Sequence, residues 1–136
     1  MEHKKIILVA TDFSEFAESA SEHAIGIARL LHYKVKFLHV IHRKKSKLSD
    51  EAALQKLKTI VQRINDQYKI KADYILREGV PTKTIGEVAM ELGANIVTIG
   101  TRGKTGVEYI FGSYALKIIT NTKVPVLVVQ KSKFKG

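Results

Sequence analysis

The sequence predicts an α/β fold, a doubly wound sheet of five parallel strands with helices on both faces. Near-continuous apolar runs alternate with helical patterns along the chain, and the strands lack the polar–apolar alternation of a sheet with one wet face. Strands that alternate with helices imply right-handed crossovers and parallel pairing. Neither a repeat nor a linker interrupts the pattern, so we expect a single domain over residues 1–136.

The first half of the chain supplies two strands, each followed by a helix. An apolar strand over residues 5–11 precedes a helix over residues 14–32, in which apolar side chains recur every three or four residues. The second strand covers residues 34–41. Ser49 is the expected N-cap of the second helix, which covers residues 50–68 and carries one apolar stripe.

The second half continues this alternation and ends on a strand. Its predicted elements are a strand over residues 71–78, a helix over residues 82–92, a strand over residues 95–100, a helix that begins at Ser113 and a strand over residues 124–130. Gly93 takes the C′ position that ends the third helix. The connection before the fourth helix, "GTRGKTGVEYIFGS", holds four glycines.

Composition excludes several classes of protein. The chain has no cysteine, which excludes disulfides, thiolate metal sites and cysteine nucleophiles. Its first apolar run is interrupted by Thr11 and Asp12, far short of a signal-peptide core or a membrane span. We expect a cytoplasmic protein without membrane association.

The net charge of +10 raises the question of nucleic-acid binding. Lysines are scattered over every segment, with denser groups only at residues 42–47 and 131–136. Apart from Phe134, no aromatic side chain accompanies these groups, so no platform for base stacking is visible. The distribution favours a solvated basic surface, whereas a nucleic-acid site would show affinity that falls steeply with salt.

Two strand ends carry the candidate chemistry. In a doubly wound sheet, ligands bind beyond the carboxyl ends of the strands, where the winding direction reverses. The first strand leads to Asp12, and the fourth leads directly into the loop that starts at Gly100. If the sheet reverses between these strands, Asp12 and the loop share one crevice.

The loop has the chemistry of a polyphosphate site. Its glycines leave backbone N–H groups accessible, the helix after Gly112 offers free amides, and Arg102 and Lys104 add mobile cations. A helix dipole contributes about 0.3–1 kcal/mol to anion binding, whereas micromolar affinity needs about 8 kcal/mol. A base pocket must therefore contribute, and Val40 could cover an adenine ring while Asp12 accepts hydrogen bonds from ribose hydroxyls.

The same loop matches neither standard phosphate motif, so a turn-rich connection without a ligand stays open. Thr98 stands where a P-loop requires its first glycine, and Gly100, Gly103 and Gly106 lack the spacing of a dinucleotide fingerprint.

Four motifs in order, "ILVATDFSEFAESASEHAIGIA", "FLHV", "GTRGKTG…GS" and "VPVLVV", resemble the universal stress protein A family over essentially the whole chain. The resemblance implies strand order 3-2-1-4-5, ATP binding and homodimers. The implied dimer strand consists of Val124, Pro125, Val126, Leu127, Val128 and Val129.

Carried over by position, the resemblance also implies a nucleotide site. Asp12 would be the ribose carboxylate and a candidate ligand of Mg²⁺. The adenine-side backbone and the phosphate loop would be Ala10, Thr11, Val40, Gly100, Thr101, Gly103, Gly112, Ser113 and the amide of Tyr114. No water-activating base stands out, so ATP hydrolysis, if any, should be slow.

The chain departs from the family pattern at three places. Eight residues separate Gly103 from Gly112, where the pattern has nine, Ala10 replaces a frequent proline, and Tyr114 replaces a small or branched residue. Two hypotheses follow: an ATP-binding signalling module, or an ATP-independent interaction protein with a degenerate site and a regulatory partner.

Two side-chain roles have plain structural alternatives. Asp12 could cap the first helix, with Glu15 completing a capping box, or Ser14 could be the cap and leave Asp12 for a ligand. His39 and His42 are three residues apart in a strand and therefore point to opposite faces, so we expect no metal site there.

Overall fold

The computed structural model describes residues 5–100 and 113–130, and alternating strands and helices run through this part of the chain. The elements in order are β1 (Ile6–Ala10), α1 (Glu15–Leu31), β2 (Lys34–Ile41), α2 (Asp50–Tyr68), β3 (Asp73–Glu78), α3 (Pro81–Leu92), β4 (Ile96–Gly100), α4 (Ser113–Thr120) and β5 (Val126–Val129). The predicted sequence of elements is confirmed over these residues. None of the helices among them is long and apolar enough to span a membrane.

The strands form one parallel sheet in the order β3-β2-β1-β4-β5, which confirms the predicted topology. The chain first builds outward from β1 through β2 to β3, and then returns to add β4 on the other side of β1. Leu8 of β1 pairs with Lys36 on one side and with Val97 on the other. The carboxyl ends of β1 and β4 therefore lie side by side, and no strand separates them.

Helices cover both faces of the sheet and create two apolar layers. Residues on one side of β1, such as Ile7, pack with Phe37 and Leu57 beneath α1 and α2. Residues on the other side, such as Leu8, pack with Val88 beneath α3 and α4. All five side chains are fully buried, and each stabilises the fold by about 1.5–3 kcal/mol through removal from water. The continuous apolar character of the strands follows from this double burial.

Polar caps start the first two helices where the sequence places them. Ser14 Oγ accepts a hydrogen bond from Ala17 N (3.2 Å), and Ser49 Oγ accepts one from Ala52 N (3.0 Å). Of the two candidate caps of α1, the structure therefore selects Ser14. Each cap satisfies an N–H group that the helix leaves unpaired.

α1 and α3 each end at a residue whose backbone has the left-handed conformation. His32 ends α1 with φ 60°, and Gly93 ends α3 with φ 64°, as the sequence predicts for the glycine. α3 begins with Pro81 as its first residue, where the missing N–H has no helical partner to lose.

The last strand is an edge of the sheet and is shorter than predicted. Val124 and Pro125 precede it, and the Pro125 carbonyl accepts a hydrogen bond from Val97 N at 2.9 Å. Because the N–H and C=O of one residue point the same way in an extended strand, the missing N–H of Pro125 lies toward β4. The outer edge of β5 is therefore not interrupted by this proline.

Candidate functional site

A cleft opens beyond the carboxyl ends of β1 and β4, at the point where the sheet reverses. Its described lining consists of Ala10, Thr11, Asp12, Ala17, Leu38, His39, Val40, Pro81, Ile85, Ile99, Gly100, Tyr114 and Ile118. Six of the residues predicted for the nucleotide site thus share one cleft: Ala10, Thr11, Asp12, Val40, Gly100 and Tyr114. The predicted neighbourhood of Asp12 and the start of the glycine-rich loop is present.

The remaining predicted residues are not part of this described lining. Ser113 is the first residue of α4 and is exposed. The predicted roles of Thr101, Arg102, Gly103, Lys104 and Gly112 concern positions outside the described residues.

A tight turn after β1 positions Asp12. Thr11 N donates to Leu38 O (2.8 Å), which extends the pairing of β1 with β2 by one residue. Asp12 Oδ1 then accepts a hydrogen bond from Ser14 N at 3.0 Å. Within the described part of the chain, the second carboxylate oxygen of Asp12 accepts no hydrogen bond, so it is available to a hydroxyl group or a cation in the cleft.

The far side of the cleft is apolar. Val40 is 9% exposed, and Ile85, Ile99 and Ile118 are almost fully buried around it. Such a wall suits a flat apolar group, because a ligand ring placed there loses contact with water while the polar groups of the turn remain on the opposite side.

His39 supports the turn after β1 through a hydrogen bond and a stacked ring. Its Nδ1 lies 2.7 Å from Thr11 O, and since a carbonyl only accepts, this nitrogen carries the proton. Its ring stacks on Phe13 with centroids 4.3 Å apart. Among the described residues, no three His, Asp or Glu side chains are grouped to hold a metal ion. The sequence considered His39 only as half of a histidine pair and missed this supporting role.

Gly100 is required by packing at the bottom of the cleft. A Cβ atom at this position would lie 2.8 Å from Phe16 O, in the first turn of α1. The carbonyl belongs to the backbone and cannot move aside easily. This glycine therefore lets α1 approach β4 whether or not a ligand is bound.

Tyr114 lines the cleft from the first turn of α4, as Ile118 does from the next turn, and it is 36% exposed. Burial, and secondarily the charge of Asp12, raise the pKa of its phenol to about 12, so the phenol is neutral at physiological pH. The free volume of the cleft is about 50 Å³. This is well below the roughly 300–1,000 Å³ that is usual for small-molecule sites.

The fold and the cleft together define a doubly wound α/β protein with a ligand cleft at its topological switch point. The chain matches the Universal stress protein family over residues 4–130 and belongs to that family. It is 34% identical over 145 residues to a universal stress protein of Methanocaldococcus jannaschii, an alignment that covers 96% of this chain and 84% of the relative.

Solved structures of the family have the same architecture. The hypothetical protein MJ0577 of M. jannaschii superposes with a TM-score of 0.78 at 30% identity, over 96% of this chain and 98% of that one. A universal stress protein from Archaeoglobus fulgidus, solved in complex with dAMP, superposes with a TM-score of 0.72 at 26% identity, over 94% of this chain and 98% of that one. The family assignment that the motifs suggested is confirmed.

Proposed function

We propose that this universal stress protein is a stress-response signalling module that binds an adenine nucleotide, with ATP as the first candidate, in the cleft between β1 and β4. The observation that carries the proposal is the shared cleft itself. It joins the carboxylate of Asp12, in the turn after β1, with the apolar wall around Val40 of β2. The A. fulgidus relative supports this assignment because it was solved with dAMP.

Each side of the cleft has a separate task in this proposal. The free oxygen of Asp12 accepts hydrogen bonds from the ribose hydroxyls, and a hydrogen bond to a charged group is worth about 1.5–3 kcal/mol. Val40 and Ile85 cover the base. The phosphates extend toward the start of α4, because the first N–H groups of a helix have no partner within the helix and the positive end of its dipole favours an anion.

A bound Mg²⁺ fits the same arrangement. Asp12 offers one carboxylate oxygen without a hydrogen bond in the described residues, and oxygen ligands of this kind suit Mg²⁺. When bound, the ion would offset the charge of the nucleotide phosphates. Asp12 would hold it on the cleft side of the turn.

A second candidate function is an ATP-independent interaction protein with a regulatory partner. The small free volume of the cleft, which has Tyr114 in its lining, favours it. For the first function, the phenol must swing outward when the ligand enters. For the second, it stays in place and the cleft remains closed.

Titration calorimetry with Mg-ATP and with AMP tests the proposal. We expect micromolar binding to the parent chain, and at least about a tenfold loss of affinity in Asp12→Asn, because the neutral amide forms weaker bonds to the ribose. Asn keeps an oxygen for the hydrogen bond from Ser14 N, so the turn survives the change. Asp66→Asn removes an equal charge from an exposed position on α2 and should bind like the parent.

Tyr114→Ala separates the two candidate functions. In the first, the variant binds at least as tightly as the parent, since the space becomes free without a conformational cost. In the second, the parent gives no heat at millimolar nucleotide. Binding by Tyr114→Ala alone would then identify Tyr114 as the residue that closes the cleft.

A further inference from the structure

A larger cavity lies on the opposite face of the sheet, in a groove between α1 and α2. Its volume is about 670 Å³, within the range of roughly 300–1,000 Å³ that is usual for small-molecule sites. Thr11 lines both this groove and the cleft, whereas Asp12 lines only the cleft and Phe13 only the groove. The groove is thus a separate space that begins at the same turn.

An aromatic ring forms the floor of the groove. Phe13 has φ 67°, a left-handed conformation that costs a residue with a side chain about 1–2 kcal/mol. The conformation is held by a hydrogen bond from Phe13 N to Thr11 Oγ1 (3.0 Å) and by the stacking of the ring on His39. Backbone strain of this kind persists only where the surroundings enforce it. Here it places a half-buried aromatic ring at the base of a cavity.

The α2 wall of the groove carries an excess of positive charge. Lys56, Thr59, Ile60 and Arg63 follow helical spacing and line the same side of α2. Glu18 on α1 is the one acidic residue in the described lining. In the described ranges, none of these three charged side chains forms an ion pair, although Lys56 Nζ lies 5.6 Å from the centre of the Phe13 ring.

We propose that the groove binds a small organic anion with a flat aromatic body. The aromatic body packs against Phe13 and Ile60, and the anionic group contacts Lys56 and Arg63 from α2. Glu18 sets an upper limit on the ligand's charge, because two cations and one carboxylate favour a single negative charge over a polyphosphate. Carboxylates and sulfonates of one or two fused rings have this chemistry and fit the volume.

An NMR titration of the full chain with naphthalene-1-sulfonate tests the proposal, with the neutral naphthalene-1-sulfonamide as the matched ligand. We expect chemical-shift changes at backbone amides of α1 and α2 near Glu18 and Thr59. The sulfonate should bind about tenfold more tightly than the sulfonamide, because only the sulfonate is attracted by both cations.

Two double variants provide the control. Lys56→Gln with Arg63→Gln should remove the tenfold preference for the sulfonate. Lys58→Gln with Lys71→Gln removes the same charge from exposed positions outside the groove lining and should change the affinity less than about twofold. All four substitutions are on exposed side chains, and an unchanged spectrum of the free variant verifies the fold.

Four results would overturn the proposal. The first is an equal affinity for the two naphthalene ligands, and the second is an equal loss in both double variants, which would show attraction by net charge alone. The third is a set of shift changes confined to Val40 and Ile85, which would place the ligand in the cleft. Absence of any shift change at several millimolar sulfonate would count against it equally.

Discussion

At the scale of single residues, Tyr114 and Asp12 determine the electrostatics of the cleft. The pKa of the Tyr114 phenol is raised from 10.0 to about 12, first by burial and then by the carboxylate of Asp12. The folded chain therefore holds this proton more tightly than the unfolded chain does. The contribution to stability is full below pH 10 and is lost as the pH rises toward 12.

Asp12→Asn should lower the pKa of Tyr114 toward its ordinary value but not to it, because burial is the larger cause and remains. The measurement is a pH titration followed by NMR of ring-labelled tyrosine. Asp66→Asn, an exposed carboxylate on α2, should leave the titration unchanged. A Tyr114 phenol that titrates near 10 in the parent chain would contradict the raised pKa.

The sequence predicted the residues of the cleft that lie on strand ends, because parallel strands bring their carboxyl ends to one edge. It could not predict Pro81 and Ile85, which reach the cleft from α3. Nor could it predict that His39 stacks on Phe13, since the contact joins β2 to the turn after β1, 26 positions earlier in the chain. The contact can be predicted only when the register of β1 with β2 is known, because the register determines which residue of β2 lies beside the turn after β1.

At the scale of elements, the contact between α3 and α4 depends on one glycine. A Cβ atom on Gly86 would lie 2.5 Å from Asn121 O, directly after α4. The Asn121 side chain also donates to Thr82 O at 3.0 Å, which ties the end of α4 to the first turn of α3. The two helices cannot approach this closely with a larger residue at position 86.

Gly86→Ala should therefore destabilise the fold by about 1–3 kcal/mol, the usual cost of overpacking. Gly26→Ala is the matched control, because Gly26 also lies in a helix and has open space around its missing Cβ. It should stabilise the chain by about 0.5–1 kcal/mol, since alanine loses less backbone entropy than glycine. Urea unfolding measures both, and two changes of the same sign would contradict this account.

The sequence predicted the helix ends that capping residues mark, but it did not predict the length of the last strand, which depends on pairing. In the structure, Ser49 is the N-cap at the start of α2, and Gly93 is the cap at the end of α3. β5, in contrast, extends only from Val126 to Val129, the residues that pair with Val97 to Gly100 of β4. A strand's length depends on its neighbour, and a local pattern does not contain that information.

At the scale of the whole molecule, the strand order came from the family resemblance and not from periodicity. An alternation of strands and helices is compatible with several orders, because the side on which β4 joins depends on how α3 covers the sheet. The resulting reversal places the cleft between two inner strands, beyond their carboxyl ends. It also leaves β3 and β5 as the two outer strands.

We propose that β5 joins two copies of the chain into a homodimer. The register of Val97 with Val126 and the bond from Val97 N to Pro125 O direct the backbone groups of Val126 and Val128 outward, where a second edge strand can pair with them.

Val128→Pro removes one outward N–H and keeps Leu127 in its extended conformation. Sedimentation equilibrium should show at least a tenfold weaker dimer. Ile118→Val, which costs about 0.5–1.5 kcal/mol in the core and leaves the edge intact, should dimerise like the parent. A folded Val128→Pro chain with the parent's dimer affinity would place the interface elsewhere.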